Sequence, residues 1–135
     1  MRRLAVVGAI VAFQAGAVMA QQPELPKPTP EHQRLAAFVG NWMIEGEMKA
    51  GPTGAQGRII ATDRSAWVPG NFFVQRLYEG KSPMGEGRGL EILGYDAVRN
   101  VYTYNTFDSV GTVGSGTMTV KGTTWTTLGT LTMCL

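Results

Sequence analysis

The sequence contains very little cysteine or histidine: among its 135 residues each occurs once, as Cys134 and His32. A single cysteine excludes an intrachain disulfide and a cysteine-based metal site. A nucleophile elbow is missing as well, because Phe107 stands two positions before Ser109, where that motif requires glycine. His32 falls in a short predicted helix near an N-terminal tether. We therefore expect it to face solvent and not to complete a serine triad or ligate a metal or haem.

The sequence also lacks an excess of charge of either sign once its first twenty residues are set aside. Arg2 and Arg3 account for the formal net charge of +2, and residues 21–135 carry equal numbers of basic and acidic side chains. Nucleic-acid binding requires clustered positive charge that displaces counterions from phosphates. The composition therefore predicts no nucleic-acid partner.

The first twenty residues have the pattern of a secretory signal peptide. A basic start at Arg2 and Arg3 precedes an apolar run from Leu4 to Met19, and a cleavage site is predicted after Ala20. The run is too short to cross a hydrocarbon core of roughly 30 Å as a helix. The residue directly after the cleavage site is Gln21 and not cysteine, so no lipid anchor is predicted. We expect a protein exported to the periplasm or secreted, with no stable membrane anchor after cleavage.

The remaining chain predicts a tether followed by one domain. Residues 21–30 hold four prolines, which favour an extended and solvated segment. Residues 31–135 have room for a single domain. It begins with a short amphipathic helix, because Thr29 suits the N-cap, Pro30 suits the first helical position and Gly40 suits the end.

After Gly40 the hydrophobic period changes to two, which is typical of half-buried strands. Turn residues recur about every ten residues, the spacing of an antiparallel meander that closes into a barrel or sandwich. Residues 80–87 are predicted to form a longer loop, since they include Pro83 and three glycines. The seven predicted strands cover residues 42–49, 58–68, 72–79, 89–95, 101–108, 112–120 and 123–127.

A few polar side chains stand within these apolar strands and are candidate ligand contacts. If they face into a barrel, they offer a ligand polar anchors in an apolar cavity. The alternative is that they pair across the sheet or lie on its outer face, and doubled apolar residues such as Phe72-Phe73 leave the choice open. With two tryptophans included, the candidate ligand-lining residues are Trp42, Trp67, Arg76, Glu91, Tyr104 and Asp108. No catalytic, cofactor-binding or metal-binding residue is predicted.

Several motifs follow one another along the chain. They are Leu-Ala-Ala-Phe-Val-Gly-Asn-Trp-Met-Ile-Glu-Gly at 35–46, Trp67-Val68-Pro69-Gly70-Asn71-Phe72-Phe73, Leu93-Gly94-Tyr95-Asp96, and Tyr102 with Phe107-Asp108-Ser109-x-Gly111. In this order they resemble a bacterial family known as domain of unknown function 1579, and the resemblance covers about residues 31–128. It implies an all-β domain, an antiparallel lipocalin-like β-barrel or strongly curved sheet of about seven strands preceded by one short helix, with no established activity or cofactor.

Gly40-x-Trp42 also resembles the opening of lipocalin barrels, which implies that Trp42 packs under the helix at the closed end. The basic side chain that covers this tryptophan in lipocalins has no counterpart, since no charged residue follows Lys121. Family members continue past Gly129 with further charged strands. We therefore expect a C-terminal truncation or frame shift near Gly129, which leaves an open sheet edge and favours self-association.

The sequence thus favours an exported β-domain that binds a small hydrophobic molecule without catalysis and without a cofactor. Two alternatives remain. One is a hydrolase or isomerase that uses Asp108 or Glu91 as general base with Tyr104 nearby. The other is a protein-interaction module that uses the exposed sheet edge.

Overall fold

The structure, a computed structural model, describes residues 24–52 and 54–134. The predicted signal peptide, residues 1–20, and the start of the predicted tether lie outside the described residues. The described part of the tether, residues 24–29, has no regular secondary structure. Within the described ranges, no helix is both long enough and apolar enough to span a membrane.

One short helix and seven strands follow the tether. The helix α1 covers Pro30–Arg34 and continues as a 3₁₀ turn, Leu35–Phe38. The strands pair in chain order into one antiparallel sheet that curls into a half-barrel. This confirms the predicted all-β class, a strongly curved antiparallel sheet of about seven strands preceded by one short helix. The strands are β1 Gly40–Met48, β2 Gly57–Trp67, β3 Phe73–Ser82, β4 Gly85–Asp96, β5 Val101–Asp108, β6 Thr112–Lys121 and β7 Thr124–Met133.

Two predicted boundaries are wrong. The long loop at 80–87 does not exist, because β3 continues to Ser82 and β4 begins at Gly85. Gly85 has φ +119° and so supplies the unusual backbone conformation of a tight turn. The last strand is twice as long as predicted. Gly129 does not interrupt it, because it pairs with another glycine, Gly116, on the neighbouring strand.

One face of the sheet, here called the inner face, carries the helix and the core. Side chains alternate between the two faces of a strand, so each strand contributes every second residue. Val74, Leu93, Tyr102 and Met118 come from four successive strands and are buried together with Leu35 of the 3₁₀ turn. The core therefore lies between the helical segment and one end of the sheet.

His32 fixes α1 against the sheet, and the prediction that it faces solvent is wrong because the side chain is buried. Its Nδ1 accepts the backbone N–H of Thr29 at 3.1 Å. Its ring packs edge-on against Phe72 and Tyr95, with centroids 5.1 and 5.4 Å away. The helix thus presents its histidine to an aromatic surface that residues far along the chain provide.

A second set of aromatic contacts holds the 3₁₀ turn. Trp125 of β7 packs against Phe38 and Tyr102, with centroid distances of 4.8 and 4.9 Å. The Tyr102 hydroxyl donates to the carbonyl oxygen of Glu31 at 3.1 Å. These contacts close one end of the half-barrel.

Candidate functional site

A charged cluster lies on the inner face of three neighbouring strands. Asp63 and Ser65 belong to β2, Arg76 to β3 and Glu91 to β4. The strand register places Arg76 opposite both Ser65 and Glu91. Arg76 and Glu91 are each two residues from a buried core position on the same strand, so the period of two turns them toward the core side.

Arg76 is the centre of this cluster. Its Nε donates to Oδ2 of Asp63 at 2.7 Å, and its Nη1 donates to Oε2 of Glu91. The Ser65 hydroxyl donates to the other oxygen of Asp63, also at 2.7 Å. The guanidinium lies over the Phe38 ring, 5.5 Å from its centroid. The rigid fork of guanidinium donors allows one arginine to bond two carboxylates at once.

The cluster combines a buried carboxylate with two partly exposed groups. The side chain of Asp63 is 1% exposed, whereas those of Glu91 and Arg76 are 17% and 20% exposed. Burial raises the pKa of Glu91, and the negative charge of Asp63 adds to this rise, while the charge of Arg76 opposes it. The arrangement therefore places a carboxyl group with a raised pKa beside a fixed cation.

Trp42 and Trp67 flank the cluster at different depths. Trp42 is the register partner of Asp63, is 47% exposed, and donates its indole N–H to the carbonyl oxygen of Phe38 at 2.8 Å. The expectation that Trp42 is packed beneath the helix is therefore wrong, because the 3₁₀ turn meets the indole through a hydrogen bond and leaves much of the ring uncovered. Trp67 is partly buried against the core.

Tyr104 has a structural position on the inner face. It is buried, and its ring lies against the backbone of Gly116 and Gly129 on the next two strands. A Cβ added at Gly116 would lie 2.8 Å from the ring, and one at Gly129 would lie 2.3 Å from the hydroxyl oxygen. The glycines therefore provide the space that Tyr104 occupies.

Asp108 has a local role at the turn between β5 and β6. Its Oδ1 accepts the backbone N–H groups of Val110 at 3.0 Å and Thr112 at 2.8 Å. Desolvation acts to raise its pKa, but the hydrogen bonds from Thr112 and Val110 together outweigh it, so the pKa is lowered. The structure thus brings Arg76 and Glu91 together among the predicted residues, and it places Asp108 in a turn.

Sequence reasoning missed Asp63 and Ser65. They stand at spacings of two before Trp67, which places all three on one face of β2. This alternation is the signal that identifies them. The doubled apolar pair Ile59-Ile60 at the start of the strand hides which face is the inner one.

A groove of about 610 Å³ lies elsewhere, near the ends of β2, β3 and β4 that are far from the helix. It contains none of the six predicted ligand-lining residues. Its lining includes four charged side chains, those of Glu79, Lys81, Glu86 and Arg88. The inner-face cluster adjoins the aromatic side chains of the core, whereas the residues that line the groove include no aromatic one, so the cluster is the better candidate site for an apolar ligand.

The fold and the cluster define a small antiparallel half-barrel domain with a partly exposed ion-pair network on its inner face. Residues 27–134 match the model of a family described as "Protein of unknown function (DUF1579)". The match covers most of the chain, so the chain belongs to this family, which confirms the family predicted from the motifs. No curated protein and no solved structure matches.

Proposed function

We propose that this chain is an exported, lipocalin-like β-domain that binds a small hydrophobic molecule on its inner face without transforming it. The observation that carries the proposal is the Arg76–Glu91 pair, which is partly exposed on a face otherwise rich in apolar and aromatic side chains. Ligand sites typically combine apolar walls with a small number of polar groups that fix the ligand's orientation.

The surroundings of the pair suggest how a ligand would lie. Phe38 stacks on the guanidinium, and the exposed part of Trp42 borders the same cluster. The apolar body of a ligand would pack on the Trp42 indole, which offers a large rigid surface. A polar group of the ligand would bond Glu91 or Arg76, both of which retain exposed surface.

Two measurements test this binding. Native mass spectrometry of the protein purified from its producing cell should show an additional mass of a small hydrophobic molecule. The purified protein should also bind the neutral fluorophore N-phenyl-1-naphthylamine saturably, and Glu91→Gln should weaken that binding several-fold. Glu45→Gln is the matched control, since Glu45 is exposed and pairs with Arg58 away from the cluster. A measured mass equal to that of the polypeptide alone, together with the absence of saturable fluorophore binding, would contradict the proposal.

Export is tested by cell fractionation and by the mature N-terminus. The proposal expects the protein outside the cytoplasm with Gln21 as its first residue. Retention in the cytoplasm with residues 1–20 still attached would contradict export and would leave the binding proposal to be decided by the two measurements above.

A carboxylate-dependent hydrolase or isomerase is the second candidate, and the raised pKa of Glu91 is the observation that favours it. General bases work best when their pKa is close to the operating pH. If turnover of a substrate is found, Glu91→Gln should abolish it while substrate still binds. Asp108→Asn should leave turnover intact, because Asp108 is engaged by backbone N–H groups of its turn. The reverse result would assign the base to Asp108.

A further inference from the structure

The strand β7 forms one edge of the sheet. It pairs with β6 on one side, and none of the described strands pairs with its other side. We propose that this edge is an interface between two copies of the chain, formed by antiparallel pairing of β7 with β7 of the second copy.

The register of the sheet identifies the backbone groups that are available for such pairing. The N–H of Cys134 donates to the carbonyl oxygen of Gly111 at 2.7 Å. Hydrogen-bonded pairs alternate with non-bonded pairs along an antiparallel ladder, so the even-numbered residues of β7 bond to β6. The odd-numbered residues direct their N–H and C=O groups away from β6: Trp125, Thr127, Gly129, Leu131 and Met133.

One symmetric register engages all of these groups. With a two-fold axis at Gly129, Thr127 lies opposite Leu131 of the second copy, and Trp125 lies opposite Met133. Each directly opposed pair of this kind exchanges two backbone hydrogen bonds. Glycine at the axis brings no side chain that could collide with its own copy, and the contact is isologous, so it closes after two subunits.

β7 lacks the features that normally keep an edge strand from pairing. Residues 124–133 contain no charged residue and no proline. Leu128, Leu131 and Met133 are all more than half exposed. Edge strands usually carry charged side chains, proline or bulges that block association. The exposed apolar side chains of β7 would instead lose water contact when a second strand lies beside them.

The opposite edge of the sheet has a different character. β1 carries Glu45 and Glu47, and pairing β1 with itself would bring carboxylates close together across the new ladder. Pairing β7 with β1 of another copy would be head-to-tail and would give a ring or an open filament, whereas the two-fold isologous dimer is the commonest assembly of identical chains. Charge and symmetry therefore favour β7 with β7.

Analytical ultracentrifugation of the chain without its first twenty residues, the form that the proposed cleavage leaves, tests the proposal. We expect a monomer–dimer equilibrium in the micromolar range. Thr127→Pro should weaken dimerisation at least about tenfold, because it removes an outward donor and leaves the β6 ladder intact. Met43→Lys on β1, an exposed side chain at the other edge, is the matched control and should leave dimerisation unchanged. Circular dichroism confirms that each variant is folded.

Amide hydrogen exchange supplies a residue-level readout. The N–H groups of Thr127, Gly129 and Leu131 should exchange slowly in the dimer and fast in the dilute monomer, whereas those of Leu128 and Thr130 should be protected in both. A monomer at all concentrations overturns the proposal, as do filaments or an association that survives Thr127→Pro. Protection that is independent of concentration would mean that another segment of the same chain covers the edge, and it also overturns the proposal.

Discussion

Replacing Arg76 by methionine should lower the free energy of unfolding by about 3–5 kcal/mol near neutral pH, the range for removing one partner of a buried ion pair. In the described part of the chain, Arg76 is the cation that pairs with both Asp63 and Glu91. Methionine replaces the aliphatic stem of the side chain but not its charge. Asp63, with 1% of its side chain exposed, would then carry a negative charge that neither water nor a cation compensates.

The loss should depend on pH, and its sign follows from Glu91. Burial and the negative charge of Asp63 raise the pKa of Glu91, and without Arg76 the cation that opposes this rise is gone. The folded variant then holds a proton on Glu91 that the unfolded chain releases. This contribution to stability is fully present below about pH 4, where unfolded carboxyl groups titrate, and is lost as the pH rises through the raised folded-state pKa of Glu91. The difference from the wild type should shrink on acidification.

Urea denaturation followed by tryptophan fluorescence, at neutral pH and at about pH 4.5, measures both effects. Arg58→Met is the matched control, because the Arg58–Glu45 pair is exposed and such pairs contribute about 0–1 kcal/mol. Adding Asp63→Asn and Glu91→Gln to Arg76→Met should recover most of the loss, since the uncompensated charges disappear. The reasoning is refuted if Arg76→Met costs no more than Arg58→Met, or if its cost is the same at both pH values.

Three further predictions concern packing. Trp42→Ala should lower the free energy of unfolding, measured by urea denaturation, by about 1–2 kcal/mol. This is less than the roughly 3–5 kcal/mol lost with a buried aromatic side chain, because Trp42 is 47% exposed. A larger loss would contradict the exposed position of the indole. Gly116→Ala should lower the free energy of unfolding by about 1–3 kcal/mol, because the added methyl would lie 2.2 Å from a carbonyl oxygen of β7. In the control, Gly46→Ala, the added methyl meets open space, so this variant should be as stable as the wild type or more stable. Equal effects of the two substitutions would disprove the argument. Tyr102→Phe should cost about 0.5–1.5 kcal/mol through its lost bond to α1. It should also remove a step above the ordinary range from the tyrosine absorbance titration, because burial raises the pKa of Tyr102; persistence of that step would assign it to another tyrosine.

The helix and most of the strands could be predicted because their signals are local. Thr29 and Pro30 mark the start of α1, and the period of two marks the strands whatever the rest of the chain does. The wrong prediction of a loop at 80–87, around Pro83, also has a local cause. Glycine and proline favour loops, but the same residues also build a tight turn between two long strands.

The site could be predicted only in part, because it depends on pairing between distant residues. Arg76 and Glu91 can be recognised in the sequence as polar residues within apolar strands, but their contact can be known only from the β3–β4 register. Asp63 needs the β2–β3 register as well. The burial of His32 is even harder to predict from the sequence, because its aromatic partners Phe72 and Tyr95 lie far from α1 along the chain.

The order of the strands has a consequence for how the domain folds. Each strand pairs with its neighbour in sequence, so every loop that must close is short and the contact order is low for an all-β protein. We expect the sheet to form quickly for its class. The bond between Tyr102 and Glu31 spans 71 residues. During synthesis from the N-terminus, α1 therefore leaves the ribosome well before β5 does, and the first element of the domain to be made is among the last to find its partners.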